Sequence, residues 1–252
     1  MEGQKTITIL SDSYLTPKRL KYSGVNNLLK IRGHRVAPQE REVRVVNLAK
    51  GGQTFKKVLE NKELLQAWII SKPTVSLIHL GPVDIVNREV DLEFKDKDLS
   101  FGVIFKNVVV NFVNKLEEVA KNFLGDNFDT WKRSHSYILC ALPDWRDFNK
   151  KYEHCLNSDQ YRHYRKRINK YLHKNIGKFL REYGILIIAP GTANANYSGV
   201  HLVATSQRCY NDKIINAVKK VLCPACRPEP TWSNKVLHEQ NFTENKICRD
   251  NK

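Results

Sequence analysis

Five short apolar runs, each ended by a turn, constrain the fold of this chain more than any other feature. The runs are rich in β-branched residues and lie near residues 5–10, 43–49, 74–80, 135–142 and 184–189. Helical periodicity lies near residues 17–31, 53–70, 101–124, 159–183 and 209–222. This alternation predicts an α/β fold in which helices cover both faces of a parallel sheet.

The length and composition fit one domain followed by a tail. A chain of 252 residues with 41% hydrophobic content can bury a substantial core as a single domain, which we place at residues 1–222. Residues 223–252 combine prolines, asparagines and charges without apolar periodicity. They predict a basic, flexible C-terminal tail.

Several absences indicate a cytoplasmic protein. No segment approaches the ~20 apolar residues that a membrane span requires. Residues 1–5 contain no apolar signal region and lead directly into a strand. The six cysteines fit a reducing compartment, and Cys140, inside an apolar run, is expected to be a core residue. We therefore expect no membrane partner.

The tail contains a single Cys-x-x-Cys pair, Cys223 and Cys226. With His238 and Cys248 this pair would supply four zinc ligands. The spacing matches no established zinc module, so we predict no metal and no other cofactor. A zinc-dependent interaction module stays open as an alternative.

A short polar turn follows the first apolar run, in the sequence Ile9-Leu10-Ser11-Asp12-Ser13-Tyr14. A serine that ends such a strand is held at the carboxyl edge of the sheet, where open α/β folds place their sites. Taken alone, Asp12 and Ser13 fit a capping turn for the next helix better than a catalytic site. Three later segments, 45–52, 76–84 and 198–202, give the turn further weight.

Together the four segments resemble, in order and spacing, the conserved blocks of the SGNH/GDSL hydrolase family, over roughly residues 6–220. The resemblance implies a three-layer α/β/α sandwich with a five-stranded parallel sheet in the flavodoxin-like order 2-1-3-4-5. It also implies roles for Ser13 as nucleophile, Gly51 or Gly52 as the block-two glycine and His201 as base, and it aligns Gly81 and Asp84 with the glycine and the aspartate of block three.

Two departures from the family pattern affect positions that the family uses in catalysis. Val83 occupies the position of the oxyanion asparagine, and Ser198 that of the triad aspartate. Loss of one oxyanion donor typically costs about 10²–10³ in rate, and loss of the triad carboxylate about 10⁴ in serine proteases. We therefore expect a degenerate, non-catalytic fold with a vestigial site. The alternative is an active esterase or acylhydrolase that uses Ser13, His201 and the backbone amides of Ser13 and Gly51.

The net charge of +16, from 42 basic and 26 acidic side chains, predicts an acidic partner, most commonly nucleic acid. The charge is densest in residues 159–183, where tyrosines and aliphatic residues form one apolar stripe. Eight basic residues turn largely away from that stripe, with only Asp159 and Glu182 as acids. They are Arg162, Arg165, Lys166, Arg167, Lys170, Lys174, Lys178 and Arg181.

We predict that this face binds nucleic acid, with contributions from Arg32, Arg35 and Arg208. A basic amphipathic helix can also lie on an anionic bilayer, but a tyrosine-rich stripe within an α/β pattern is expected to pack against the sheet. A degenerate fold with strong positive charge resembles the RNA-binding, hydrolase-like domains of insect germ plasm. That resemblance implies single-stranded regions of mRNA as the ligand, and protein partners in ribonucleoprotein granules.

Overall fold

Five parallel strands form the sheet in the computed structural model, which describes residues 5–15, 43–87, 101–143, 157–188, 197–198, 201–202 and 204–222. The strands are β1 (Thr6–Ser11), β2 (Arg44–Asn47), β3 (Val75–His79), β4 (Ser136–Cys140) and β5 (Ile185–Ile188). Their order is β2-β1-β3-β4-β5, and every neighbouring pair is parallel. The predicted sheet and strand order are confirmed.

Eight helices accompany the sheet within the described ranges. They are α1 (Phe55–Glu60), α2 (Lys62–Ile70), α3 (Pro82–Val86), α4 (Phe101–Leu124), α5 (Phe128–Ser134), α6 (Ser158–Lys174), α7 (Ile176–Tyr183) and α8 (Ala204–Leu222). Sequence periodicity missed α3 and α5 because each is too short to show a repeat. The predicted helix at 17–31 and the tail at 223–252 lie outside the described residues.

Helices pack on both faces of the sheet, as the buried strands require. Every residue of β1 and β3 is buried, so neither face of these strands meets solvent. Alternate residues of a strand point to opposite faces. On β3, Ser76 accepts a 2.8 Å hydrogen bond from Trp68 of α2, whereas the ring of His79 contacts Tyr210 of α8. Helices α2 and α8 therefore lie on opposite faces.

Two predicted helices are each divided by an asparagine. The segment 53–70 is interrupted at Asn61, whose side chain accepts a hydrogen bond from Leu64 N–H and so caps α2. The segment 159–183 is interrupted at Asn175, whose side chain donates to the carbonyl of Tyr171 and ends α6. The prediction of one continuous helix is therefore wrong in both segments, although the apolar stripe continues across each break.

A small hairpin precedes α8. Strands β6 (Tyr197–Ser198) and β7 (His201–Leu202) pair antiparallel, with Ser198 directly opposite His201. Helix α8 starts at Ala204, a few residues earlier than predicted. Among the described helices, none is both long enough and apolar enough to cross a membrane.

Candidate functional site

Ser13 and Gly51 lie side by side at the carboxyl edge of the sheet. Ser13 opens a 3₁₀ turn, Ser13–Leu15, that follows β1 after a single residue, and it is half-buried. Gly51 follows the neighbouring strand β2, and a Cβ atom placed on it would lie 3.9 Å from the Cβ of Ser13. The structure therefore brings these two residues together, as parallel neighbouring strands dictate.

Asp12 holds the turn that presents Ser13. Its carboxylate Oδ1 accepts a 3.0 Å hydrogen bond from the backbone N–H of Tyr14, and its own N–H donates to the carbonyl of His79 at 3.2 Å. The side chain of Asp12 is fully buried. It therefore fixes the backbone of the turn and does not face solvent.

Asp84 explains why the third block keeps its glycine and its aspartate. The buried carboxylate accepts hydrogen bonds from the N–H groups of Phe55 (2.9 Å) and Gly81 (3.1 Å), which ties α3 to α1. Gly81 has φ +115°, and a Cβ there would lie 2.9 Å from side-chain atoms of Phe105 and Leu142. The Gly81–Asp84 pair is therefore required by the fold, whether or not the site is catalytic.

The residues that depart from the family pattern lie in well-defined elements. Val83 is half-buried in α3 and packs against the core, and its side chain contains no hydrogen-bond donor. Ser198 and His201 are paired in the backbone register of the β6–β7 hairpin, just before α8. The first turn of α8 reaches the turn Ser13–Leu15, because Gln207 Nε2 approaches the carbonyl of Tyr14 at 3.5 Å.

A buried polar cluster beneath Ser13 was not predicted from the sequence. His79 ends β3, is 1% exposed, and stacks on Tyr14 with 4.9 Å between ring centroids. Its Nδ1 lies 3.4 Å from Asp12 Oδ1, and neither of its ring nitrogens makes a hydrogen bond to a described residue. The sequence signal that could have identified His79 was a titratable residue at the end of an apolar run. In the sheet, His79 lies in register with Ser11.

Two neighbouring groups in this cluster stay protonated. Burial raises the pKa of the Cys140 thiol to about 12 and places the pKa of Tyr210 well above its usual value. A thiol of that pKa is not a nucleophile at neutral pH. Cys140 is 2% exposed, which confirms that it is a core residue. In the described part of the chain, no group of three or more potential ligands is arranged to hold a metal ion.

The predicted basic face is divided between α6 and α7. Two of its eight residues, Arg162 and Arg165, are half-buried, and the other six are exposed: Lys166, Arg167, Lys170, Lys174, Lys178 and Arg181. Arg162 contacts Asp159 at 3.4 Å, and Lys178 contacts Glu182 at 3.8 Å. Arg208 lies in α8, while Arg32, Arg35 and the tail cysteines fall outside the described residues.

Three lysines of this face form a row without acidic partners. Lys166, Lys170 and Lys174 follow one another at four-residue steps along α6. None of them forms an ion pair with any residue that the structure describes. At 1.5 Å per residue this lysine row is about 12 Å long.

Solved structures with the same fold are SGNH/GDSL hydrolases. The crystal structure of TesA aligns with a TM-score of 0.50 and 15% identity, over 86% of this chain and 99% of that chain. A protein from Desulfitobacterium hafniense, described as lipolytic and of the G-D-S-L family, gives 0.51 and 14%, over 84% and 99%. Est24, a carbohydrate acetylesterase from Sinorhizobium meliloti, gives 0.53 and 11%, over 86% and 100%.

These alignments show that the chain has the SGNH-hydrolase-like fold that its sequence blocks predict. No family model matches the chain, and no curated protein sequence is significantly similar to it.

Proposed function

We propose that this SGNH-hydrolase-like domain is non-catalytic and binds RNA through the exposed face of α6 and α7. The observation that carries the proposal is the lysine row, Lys166, Lys170 and Lys174. Three like charges at four-residue steps repel one another, and a bound anion offsets this repulsion. Because their stems are exposed and no described acid neutralises them, a phosphate backbone is the partner that they fit.

The vestigial site supports the same conclusion. Val83 offers no donor to a developing oxyanion, and Ser198 offers no charge to orient His201. Retention of Asp84 and Gly81 reflects the hydrogen bonds and close packing that they provide to the fold. The sequence therefore keeps the glycine and aspartate that the fold requires, and lacks the two side chains that efficient ester hydrolysis requires.

The biological role comes from resemblance. A degenerate SGNH fold with a strong positive charge resembles the RNA-binding, hydrolase-like domain of the insect germ-plasm protein Oskar. By that resemblance the chain binds single-stranded regions of mRNA in the cytoplasm and takes part in the assembly of germ-plasm ribonucleoprotein.

The test is a titration of labelled single-stranded RNA with wild type and a charge-reversal variant. Lys166→Glu, Lys170→Glu and Lys174→Glu together should weaken binding at least tenfold. The matched control reverses the exposed Lys56, Lys62 and Lys121 on other helices, so that the net charge falls equally. It should bind nearly as wild type does. Equal affinity of the two triple variants would contradict the proposal.

An active esterase is the second candidate, because Ser13 and Gly51 are adjacent at the site edge. Ser13 would attack, His201 would act as base, and the amides of Ser13 and Gly51 would hold the oxyanion. On our proposal, generic aryl esters turn over no faster with wild type than with Ser13→Ala. A serine-dependent rate, or labelling of Ser13 by a fluorophosphonate, would instead establish the hydrolase.

A further inference from the structure

A cluster of planar side chains lies beside the lysine row, where the first residue of α4 meets the middle of α6. The ring of Phe101 meets the ring of Tyr164 edge-on at 4.9 Å and that of His163 edge-on at 6.1 Å. The guanidinium carbon of Arg167 lies over the same ring, 5.2 Å from its centroid. The cluster therefore presents a planar cation positioned over an aromatic face.

Close packing of the two helices produces this arrangement. A Cβ atom at Gly102 would overlap Cβ and Cγ of Tyr171, so α4 approaches α6 this closely only with glycine there. The neighbouring Phe101 is thereby placed under Arg167. Cation–π attraction then restrains the guanidinium, which in a free arginine samples many orientations.

Arg167 remains available to a ligand. Its side chain is exposed, and it forms no ion pair with any residue in the described ranges. It lies three residues before Lys170, so it neighbours the lysine row on the same side of α6. A flat cation of this kind presents a stacking surface in addition to a charge.

We propose that Arg167, backed by Phe101, is a stacking site for one unpaired nucleobase, while the lysine row holds the adjacent phosphates. The inference rests on the proposed function and deepens it, because it assigns one side chain of the basic face to a base instead of a phosphate. Proteins stack unpaired bases on aromatic rings and arginine planes, whereas the bases of a duplex already stack on each other.

Stacking of one base contributes about 5- to 150-fold in affinity. Wild type is therefore expected to bind a short oligouridylate at least fivefold more tightly than an abasic ribose-phosphate oligomer of equal length. Arg167→Lys keeps the charge and removes the plane, so it should bring this ratio close to one. Phe101→Leu, which removes the support of the guanidinium, should lower the ratio as well.

Matched controls make the same replacements elsewhere. Arg133→Lys alters an exposed arginine of α5, and Phe123→Leu alters the exposed phenylalanine at the other end of α4. Both should leave the ratio unchanged. An Arg167→Lys protein that still prefers oligouridylate over the abasic oligomer to the wild-type degree would overturn the stacking site.

The two proposals fail in different ways. If reversal of the lysine row leaves RNA affinity unchanged, the proposed function fails and the stacking site fails with it. If reversal abolishes binding while Arg167→Lys keeps the wild-type ratio, RNA binding stands and the stacking site alone is rejected. Tight binding of a short RNA duplex, equal to that of oligouridylate, also rejects it.

Discussion

At the scale of single residues, Asp84 shows how a family motif survives for structural reasons. Its buried carboxylate accepts from two backbone N–H groups that no other described group satisfies at that point. Loss of such acceptors leaves the donors desolvated and unpaired, which costs about 1–3 kcal/mol for each group. The fold itself therefore accounts for the aspartate at position 84, whether or not the site is catalytic.

We expect Asp84→Ala to lower the free energy of unfolding by about 2–4 kcal/mol, because two N–H groups lose their partner. Urea denaturation followed by circular dichroism measures the change. The control is Asp126→Ala, at an exposed position in the 3₁₀ turn Gly125–Asn127, with an expected change within about 0.5 kcal/mol. A similar small change for Asp84→Ala would show that the carboxylate is dispensable.

His135 gives a pH dependence to stability. Burial lowers the pKa of this side chain to about 4 from 6.5, and its Nδ1 lies 2.8 Å from the carbonyl of Pro73. Between these two pH values the unfolded chain binds a proton that the native protein does not. Stability contributed by the neutral imidazole is therefore complete above pH 6.5 and is lost as the pH falls toward 4.

Between pH 7.5 and pH 5 this residue should lower the free energy of unfolding by about 2 kcal/mol. In His135→Gln the side chain does not titrate and still offers an N–H to Pro73. The variant should lose about 2 kcal/mol less than wild type over the same interval, measured by urea denaturation at both pH values. Parallel losses in the two proteins would place the titrating group elsewhere.

The sequence identified the residues on the edge of the site but not the cluster beneath it. Ser13 and Gly51 could be predicted because each directly follows an apolar run, and parallel strands bring such positions together. His79 and Tyr210 could not, because their contact depends on how α8 docks on β3. No local pattern encodes the docking of two elements that lie over a hundred residues apart.

At the scale of elements, the strands and α4 followed the predicted bounds closely, whereas the helices predicted at 53–70 and 159–183 were each divided in two. Buried parallel strands are continuous apolar runs that end at turns, so their limits are visible in composition. The helix breaks at Asn61 and Asn175 could not be predicted, because a new helix begins directly after each asparagine. The apolar residues before and after each break keep the same helical spacing. Only the capping hydrogen bonds reveal the breaks.

The contact between α4 and α6 can be tested with two glycines. Gly102→Ala would place a methyl group against the Cβ and Cγ atoms of Tyr171, so the two helices must move apart. We expect this to lower the free energy of unfolding by about 1–3 kcal/mol. Gly177→Ala in α7 meets only the end of the flexible Arg181 side chain, and should stabilise by up to about 1 kcal/mol. Chemical denaturation of both variants measures the difference, and equal effects would contradict the close packing.

At the scale of the whole molecule, the two candidate surfaces occupy different parts of the fold. Ser13, Gly51 and Gly81 follow the carboxyl ends of their strands, as hydrolase sites do in such sheets. The lysine row lies on the exposed side of α6, which packs on α4 through Tyr164 and Tyr171. Substitutions at the edge of the sheet are therefore expected to leave the basic face intact, and each surface can be altered without the other.

The salt dependence of RNA affinity measures how many cationic side chains contact phosphate groups. Each contact to a single strand contributes about −0.7 to the slope of log affinity against log salt concentration. Three contacts, from the lysine row, give a slope of about −2, so affinity should fall about 20-fold for a fourfold rise in salt. Reversal of the three lysines should reduce the slope by about 2, whereas the control reversal at Lys56, Lys62 and Lys121 should preserve it.

Arg167→Lys should weaken binding at an unchanged slope, because it retains the charge and loses only the stacking plane. Fluorescence anisotropy at several salt concentrations measures all four proteins. An unchanged slope after reversal of the lysine row would mean that the phosphates lie on another part of the molecule.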